Sequence, residues 1–187
     1  YKIMLIWYNK VINEWNIFIH IPKNGGKYIR DRIKGNKKNK IIKSFWGPKG
    51  DLDLAHIPYI KIDKYINMNV KYNYITYSRD PYDRLISAFF YKNREKTVED
   101  FKKFCNKELI NISFDNKYLK QKIHYYPQYR FICNNNSELI NINIKRIEPP
   151  KKYDLKKYYD EDTLKKVNKV YRRDFELLNY KMYNTII

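Results

Sequence analysis

Asn16-Ile17-Phe18-Ile19-His20-Ile21-Pro22-Lys23-Asn24-Gly25-Gly26-Lys27-Tyr28 is the stretch on which the reading of the fold turns. Its first half is a run of β-branched and aromatic residues with the composition of a buried strand. Pro22 and the glycine pair end the run, and a helix-compatible segment follows from Lys27. A strand, a tight loop and a helix start in that order suit an anion. Glycines let the backbone approach a ligand closely, helix-start N–H groups attract negative charge, and Lys23 and Lys27 add full positive charges. The stretch is not a nucleoside-triphosphate loop, which needs G-x-x-x-x-G-K-[ST], nor a dinucleotide fingerprint, which needs G-x-G-x-x-G.

Further along, Val70 to Tyr77 alternate in the manner of a second core strand, which ends in Ser78-Arg79-Asp80-Pro81-Tyr82-Asp83-Arg84. Pro81 fits the first position of a helix with Asp80 as its cap, and Leu85, Ile86, Phe89 and Phe90 then share one face. Arg79 falls at the C-terminal end of its strand, where open α/β sheets bind ligands, and Ser87 lies two turns into the helix. Taken alone, Arg79 and Arg84 read as surface partners of Asp80 or Asp83. Strands alternating with helices predict one α/β domain over residues 1–187, with a mainly parallel central sheet flanked by helices.

The intervening segments are read more coarsely. Ile3 to Trp7 predict an extra strand or a packed N-terminal arm. Tyr28 to Ile33 continue as a short helix, Gly35 to Lys40 form a basic connection, Ile41 to Trp46 a strand and Gly47 to Gly50 a turn. Asp51 to Tyr59 deliver His56 into a loop just before Pro58; Asp51, Asp53 and His56 are too few ligands for a convincing metal site. Thr97 to Cys105 predict a helix with Thr97 and Asp100 as a capping box. Asn111 to Asn116 read as a loop and Tyr118 to Tyr125 as helical. Tyr129 to Cys133 and Leu139 to Ile147 read as strands around Asn134-Asn135-Asn136. Pro149-Pro150 breaks the chain, and Asp160 to Tyr180 predict one or two amphipathic helices.

The 187 residues carry a formal charge of +19 with a pI near 9.7, which favours a polyanionic partner such as a nucleotide, an anionic glycan, nucleic acid or a membrane surface. Abundant Lys, Asn, Ile and Tyr, residues with A/T-rich codons, offer a second origin for the charge. No apolar run reaches bilayer length and no signal peptide is visible. Because the chain starts at Tyr1, it reads as a fragment or processed form. Cys105 and Cys133 read as buried thiols.

Two separated motifs resemble the sulfotransferases that use 3'-phosphoadenosine 5'-phosphosulfate (PAPS), particularly the membrane-associated branch acting on heparan, chondroitin and related carbohydrates. His20-Ile21-Pro22-Lys23-Asn24-Gly25-Gly26 is similar to the family loop that holds the 5'-phosphosulfate, and Arg79 to Phe89 to the segment that holds the 3'-phosphate. Weaker echoes are Ala55-His56-Ile57-Pro58-Tyr59, His124-Tyr125-Tyr126-Pro127-Gln128 and Tyr171-Arg172-Arg173-Asp174-Phe175.

The resemblance implies a P-loop-like sulfotransferase architecture and transfer of a sulfonyl group to an acceptor hydroxyl, with adenosine 3',5'-bisphosphate (PAP) as product. It implies a cofactor site of Pro22, Lys23, Asn24, Gly25, Gly26, Lys27, Tyr28, Arg79 and Ser87. Lys23 would meet the bridging and sulfonyl oxygens, and the amides of Asn24 to Lys27 the 5'-phosphate. His56 is the expected base, with His124 as runner-up and His20 as a packing residue; no metal is required. The chain departs from the family pattern at Lys27, where Thr or Ser is usual, and at Asn24, where Thr is common. The expected acceptor is a glycan or another hydroxyl-bearing molecule, and the family's usual place is the Golgi lumen. The competing reading is a non-catalytic nucleotide- or polyanion-binding protein. Nucleic acid is disfavoured as the partner because no nucleic-acid-binding module is legible, and a nucleotide kinase because the triphosphate loop is missing.

Overall fold

The computed structural model describes residues 4–50, 52–92, 95–114, 122–148 and 153–185. β1 (Met4–Asn9) and β2 (Glu14–Phe18) form a hairpin, followed by α1 (Gly26–Gly35) and β3 (Asn39–Phe45). A short hairpin, β4 (Pro48–Lys49) with β5 (Leu52–Asp53), leads into two 3-10 turns, Leu54–His56 and Tyr59–Tyr65. β6 (Tyr72–Ser78) is followed by α2 (Pro81–Lys92) and α3 (Val98–Lys107), then a 3-10 turn at Ile123–Tyr125 and α4 (Tyr129–Ile132). β7 (Ile142–Arg146), α5 (Leu155–Tyr158) and α6 (Glu161–Leu178) complete the order.

The five-stranded sheet runs β3-β1-β2-β6-β7 and is mixed, not mainly parallel as the sequence predicts. β2 and β7 lie parallel to β6, but β1 is antiparallel to both β2 and β3. The cause is the connection length. Four residues, Lys10 to Asn13, join β1 to β2, which permits only a hairpin, whereas a parallel pair needs a crossover of a dozen residues or more. The expected N-terminal strand or arm is thus an integral strand.

Period-two alternation divides the core. Met4, Ile6, Ile17 and Ile19 pack in one apolar cluster with Ile57 and Phe131, while Leu5, Trp7 and Phe18 pack in another with Ile29 of α1. A third cluster joins Leu85, Ile86 and Phe89 of α2 to Phe101 and Phe104 of α3 and to Leu164 and Phe175 of α6. Asp80 Oδ1 accepts from the amides of Tyr82 and Asp83, so α2 starts as its sequence predicts. Thr97 and Asp100 form the expected reciprocal capping box on α3. The helix expected over Asp160–Tyr180 is α6, interrupted by non-helical dihedrals at Tyr171. Cys105 and Cys133 are buried and unbonded.

Tyr129–Cys133 is a second correction: the segment is α4 with a single bridge between Cys133 and Leu139, and only Ile142–Arg146 forms a strand. An apolar run this short has no decisive period, and the Asp174 carboxylate, accepting from the amides of Gln128 and Tyr129, fixes a helical start. The break at Pro149-Pro150, the end of the Asn111–Asn116 loop and the first part of the Tyr118–Tyr125 helix lie outside the described residues. No described helix is long and apolar enough to cross a membrane.

Candidate functional site

β2 and β6 run side by side, so the loop after β2 and the start of α2 after β6 meet at the same end of the sheet. Two guanidinium groups join them. Arg84, fully buried, donates through Nε to the Pro22 carbonyl at 3.0 Å and through Nη2 to the carbonyls of His124 at 3.2 Å and Tyr126 at 2.7 Å. Arg79 donates through Nη1 to the Lys23 carbonyl at 3.0 Å and through Nε to Asp83 Oδ2 at 2.6 Å. Neither arginine is the surface partner that the local sequence suggests. One bonds three backbone carbonyls, and the other forms a buried ion pair with Asp83.

Lys23 adopts φ 70°, in the left-handed region that a long side chain seldom occupies. Its ammonium stands 3.8 Å from the centroid of the Tyr91 ring, a cation–π contact. Burial, followed by the charges of Arg79 and Arg84, lowers the Lys23 pKa to about 8. Lys23 is therefore mostly charged at neutral pH but short of compensating anions, which favours binding one.

Asn24 is 1% exposed and structural. Its amide donates to the Tyr77 carbonyl at 2.6 Å and to Gln128 Oε1 at 2.8 Å, and its backbone N–H faces the Ile21 carbonyl at 3.4 Å. Gly25 has φ 69°, and a Cβ there would stand 2.4 Å from Ile147 Cδ1. Gly26 opens α1, which begins without a side-chain cap, so the first-turn amides of Gly26, Lys27 and Tyr28 point out along the helix axis. Lys27 is exposed on that turn, and the Tyr28 ring lies outward against Arg32.

All the histidines of the chain converge beside this loop. His20 and His56 lie ring against ring at 4.4 Å between centroids, and His124 meets His56 edge-on at 5.7 Å and Tyr91 at 5.0 Å. His56 Nδ1 is 3.1 Å from the His20 carbonyl. A carbonyl only accepts, so Nδ1 carries the proton and Nε2 of the neutral ring keeps its lone pair. Burial is the main cause that lowers the His56 pKa to about 4 and that of His20 well below the ordinary value. Both rings are neutral at pH 7. His124 is only partly buried and shares the neighbour Tyr91 with Lys23.

On the other side of Arg79, Ser87 is half-buried, and the Tyr153 amide donates to Asp83 Oδ1 at 3.2 Å. A cleft of about 330 Å³ opens here, lined by Asp83, Arg146, Ile147, Tyr153 and Tyr180 among others. Ile147 lines this cleft and also packs against Gly25. A smaller depression of about 180 Å³ between Ile60, Tyr129 and Asn134 includes none of the residues predicted for the site. No group of His, Cys, Asp and Glu among the described residues is arranged to hold a metal ion.

Sequence reasoning misses the residues that hold these parts in register. Gln128 Oε1 accepts from the Arg79 amide at 3.1 Å and from Asn24, and Nε2 returns a bond to the Arg79 carbonyl at 2.8 Å. Asp174 anchors Gln128 in turn, by accepting its amide at 2.7 Å. The His-x-x-Pro-Gln and Tyr-Arg-Arg-Asp-Phe echoes contain both residues but do not reveal that they touch. Tyr91 carries no signal beyond its place at the end of α2. No protein-family model, curated protein or solved structure matches this chain.

Proposed function

We propose that this protein is a PAPS-dependent sulfotransferase whose acceptor is a carbohydrate hydroxyl, built on the P-loop-like arrangement that its two motifs imply. The observation that carries the reading is the bond from Arg79 Nη1 to the Lys23 carbonyl, which sets the two motifs edge to edge. In this reading the amides at the start of α1 and the Lys23 ammonium receive the 5'-phosphosulfate. Arg79 Nη2 and the Ser87 hydroxyl receive the 3'-phosphate. The cleft of about 330 Å³ beside Tyr153 and Ile147 would take the adenosine.

The reaction is an in-line displacement. The acceptor oxygen forms a bond to sulfur as the bond from sulfur to the bridging phosphate oxygen breaks, and that oxygen leaves as part of PAP. Lys23 stabilises the leaving oxygen. The acceptor proton passes to a histidine: His56 presents an unprotonated Nε2, and His124, less buried, is the second candidate.

The non-catalytic reading draws on one observation, the burial of His56 to 5% exposure. The two readings separate in one experiment, incubation with radiolabelled PAPS and a panel of desulfated glycans. Transfer that is lost in Lys23→Ala and reduced in His56→Ala or His124→Ala supports the enzyme. PAP binding without transfer to any acceptor supports the binding protein.

A further inference from the structure

The end of the sheet remote from the ligand loops carries a feature that the proposed chemistry does not use. β1 turns into β2 through Lys10-Val11-Ile12-Asn13, and the polar side chains of this turn serve as its scaffold. Asn9 Oδ1 accepts from the amides of Val11 at 3.0 Å and Ile12 at 3.4 Å. The Tyr8 hydroxyl donates to Asn13 Oδ1 at 3.0 Å, with Asn13 at φ 54°. Val11 and Ile12 are held outward, 61% and 57% exposed. Hairpin tips favour Asn, Asp and Gly, so two β-branched aliphatic residues presented on a hydrogen-bonded turn are not what turn formation requires.

Positive charge surrounds them. The Lys10 amide donates to the Lys38 carbonyl at 2.9 Å, which brings the turn before β3 alongside the tip, and Lys10, Lys37, Lys38 and Lys40 are all exposed. Lys71 directly precedes β6, whose first residue Tyr72 pairs with Trp15, so it lies at this same end, and Met68 on the turn before it is 65% exposed. Glu14, the acidic side chain next to the tip, is occupied by Asn73 Nδ2 at 2.8 Å. Lysines along the edge strand β3 also discourage sheet-to-sheet pairing, but that role accounts for neither Val11 nor Ile12.

We propose that this hairpin is a docking point for an anionic lipid surface. Val11 and Ile12 enter the boundary between headgroups and acyl chains, and the lysines lie among the headgroups. A protein partner fits less well: the aliphatic tip is convex and small, and lysine is depleted in protein interfaces. Nucleic acid would engage the lysines but gain nothing from Val11 and Ile12, and the rings beside the tip, Tyr8 and Trp15, already pack against each other. The orientation leaves the Lys23 loop facing away from the lipid. The inference is independent of the proposed chemistry.

Sedimentation of the full chain with vesicles tests it, using roughly one-third phosphatidylserine in phosphatidylcholine against phosphatidylcholine alone. Binding is expected only to the anionic vesicles, weakened about tenfold by Val11→Ser with Ile12→Ser, and by Lys37→Glu with Lys38→Glu. A solvent-sensitive dye on Val11→Cys should shift to the blue on those vesicles, while the same dye on Trp46→Cys, at the far end of β3, stays unchanged; both native cysteines are buried. The proposal is overturned if wild-type protein ignores anionic vesicles, if the aliphatic double variant binds as well as wild type, or if the Val11→Cys dye is silent on bound protein. It is equally overturned if single-stranded RNA or another protein, and not the vesicles, produces the dye shift.

Discussion

Gly26 lies so close to His20 that a Cβ on the glycine would stand 2.0 Å from His20 Nε2. The first residue of α1 and His20, just before the Pro22–Gly25 loop, therefore crowd one space, and His56 packs against the same His20 ring. Gly26 has no positive φ to protect, and alanine would otherwise suit a helix start. Gly26→Ala is expected to cost about 1–3 kcal/mol in unfolding free energy through overpacking. In a His20→Ala background most of that cost should vanish, a coupling that urea unfolding of the four proteins in the cycle measures directly. Additive effects would mean that the two residues do not share the site.

Arg84 should be the least replaceable side chain of the site region. Its removal strips donors from three backbone carbonyls, two of them at buried bonds, and leaves a cavity, for an expected loss of about 3–5 kcal/mol in Arg84→Ala. Arg84→Lys cannot reproduce a fork that reaches Pro22 and Tyr126 together, so it should recover less than half of that loss. Thermal and urea unfolding of both variants check this ordering.

Acid should destabilise the fold through the buried histidines. The unfolded chain takes up a proton near pH 6.5 at each histidine, whereas folded His56 does so only near pH 4. The stability this supplies is complete above about pH 6.5 and is lost as pH falls towards about 4. Asp174 acts in the opposite sense. Burial raises its pKa to about 6, so the folded state takes up that proton first and part of the loss is offset. Wild-type protein is expected to lose on the order of 1–3 kcal/mol across this window. His56→Asn, which keeps a donor for the His20 carbonyl, should flatten the profile, as read from urea midpoints over a pH series.

Local signals made the two loops legible in the sequence. Pro22, Gly25 and Gly26 mark the end of β2, and Asp80 and Pro81 mark the start of α2, all within a few residues of the structure they specify. Strand direction was less accessible, because nothing in Ile3 to Trp7 states that the segment pairs backwards with β2. The Arg79–Gln128–Asp174 network and the Arg84 contacts link positions some forty to sixty residues apart, and local propensity carries no trace of them. The helical start at Tyr129 escaped for the same reason, since the acceptor that fixes it belongs to α6.

Lys23 should make the proposed nucleotide binding sensitive to alkaline pH. An anion binds the ammonium form, so affinity for PAP is expected to hold below about pH 8 and to fall above it, approaching tenfold per pH unit. Lys23→Arg, whose charge does not titrate in this range, should bind with a flat profile. Calorimetric titrations between neutral and alkaline pH give both curves.

Titration of the protein with PAP and, separately, with adenosine 5'-monophosphate tests the central claim most directly. A two-phosphate clamp predicts saturable binding of PAP, at least about tenfold tighter than the monophosphate, with the preference removed in Arg79→Ala. Equal affinity for the two nucleotides, or no binding of PAP by folded protein, would contradict it.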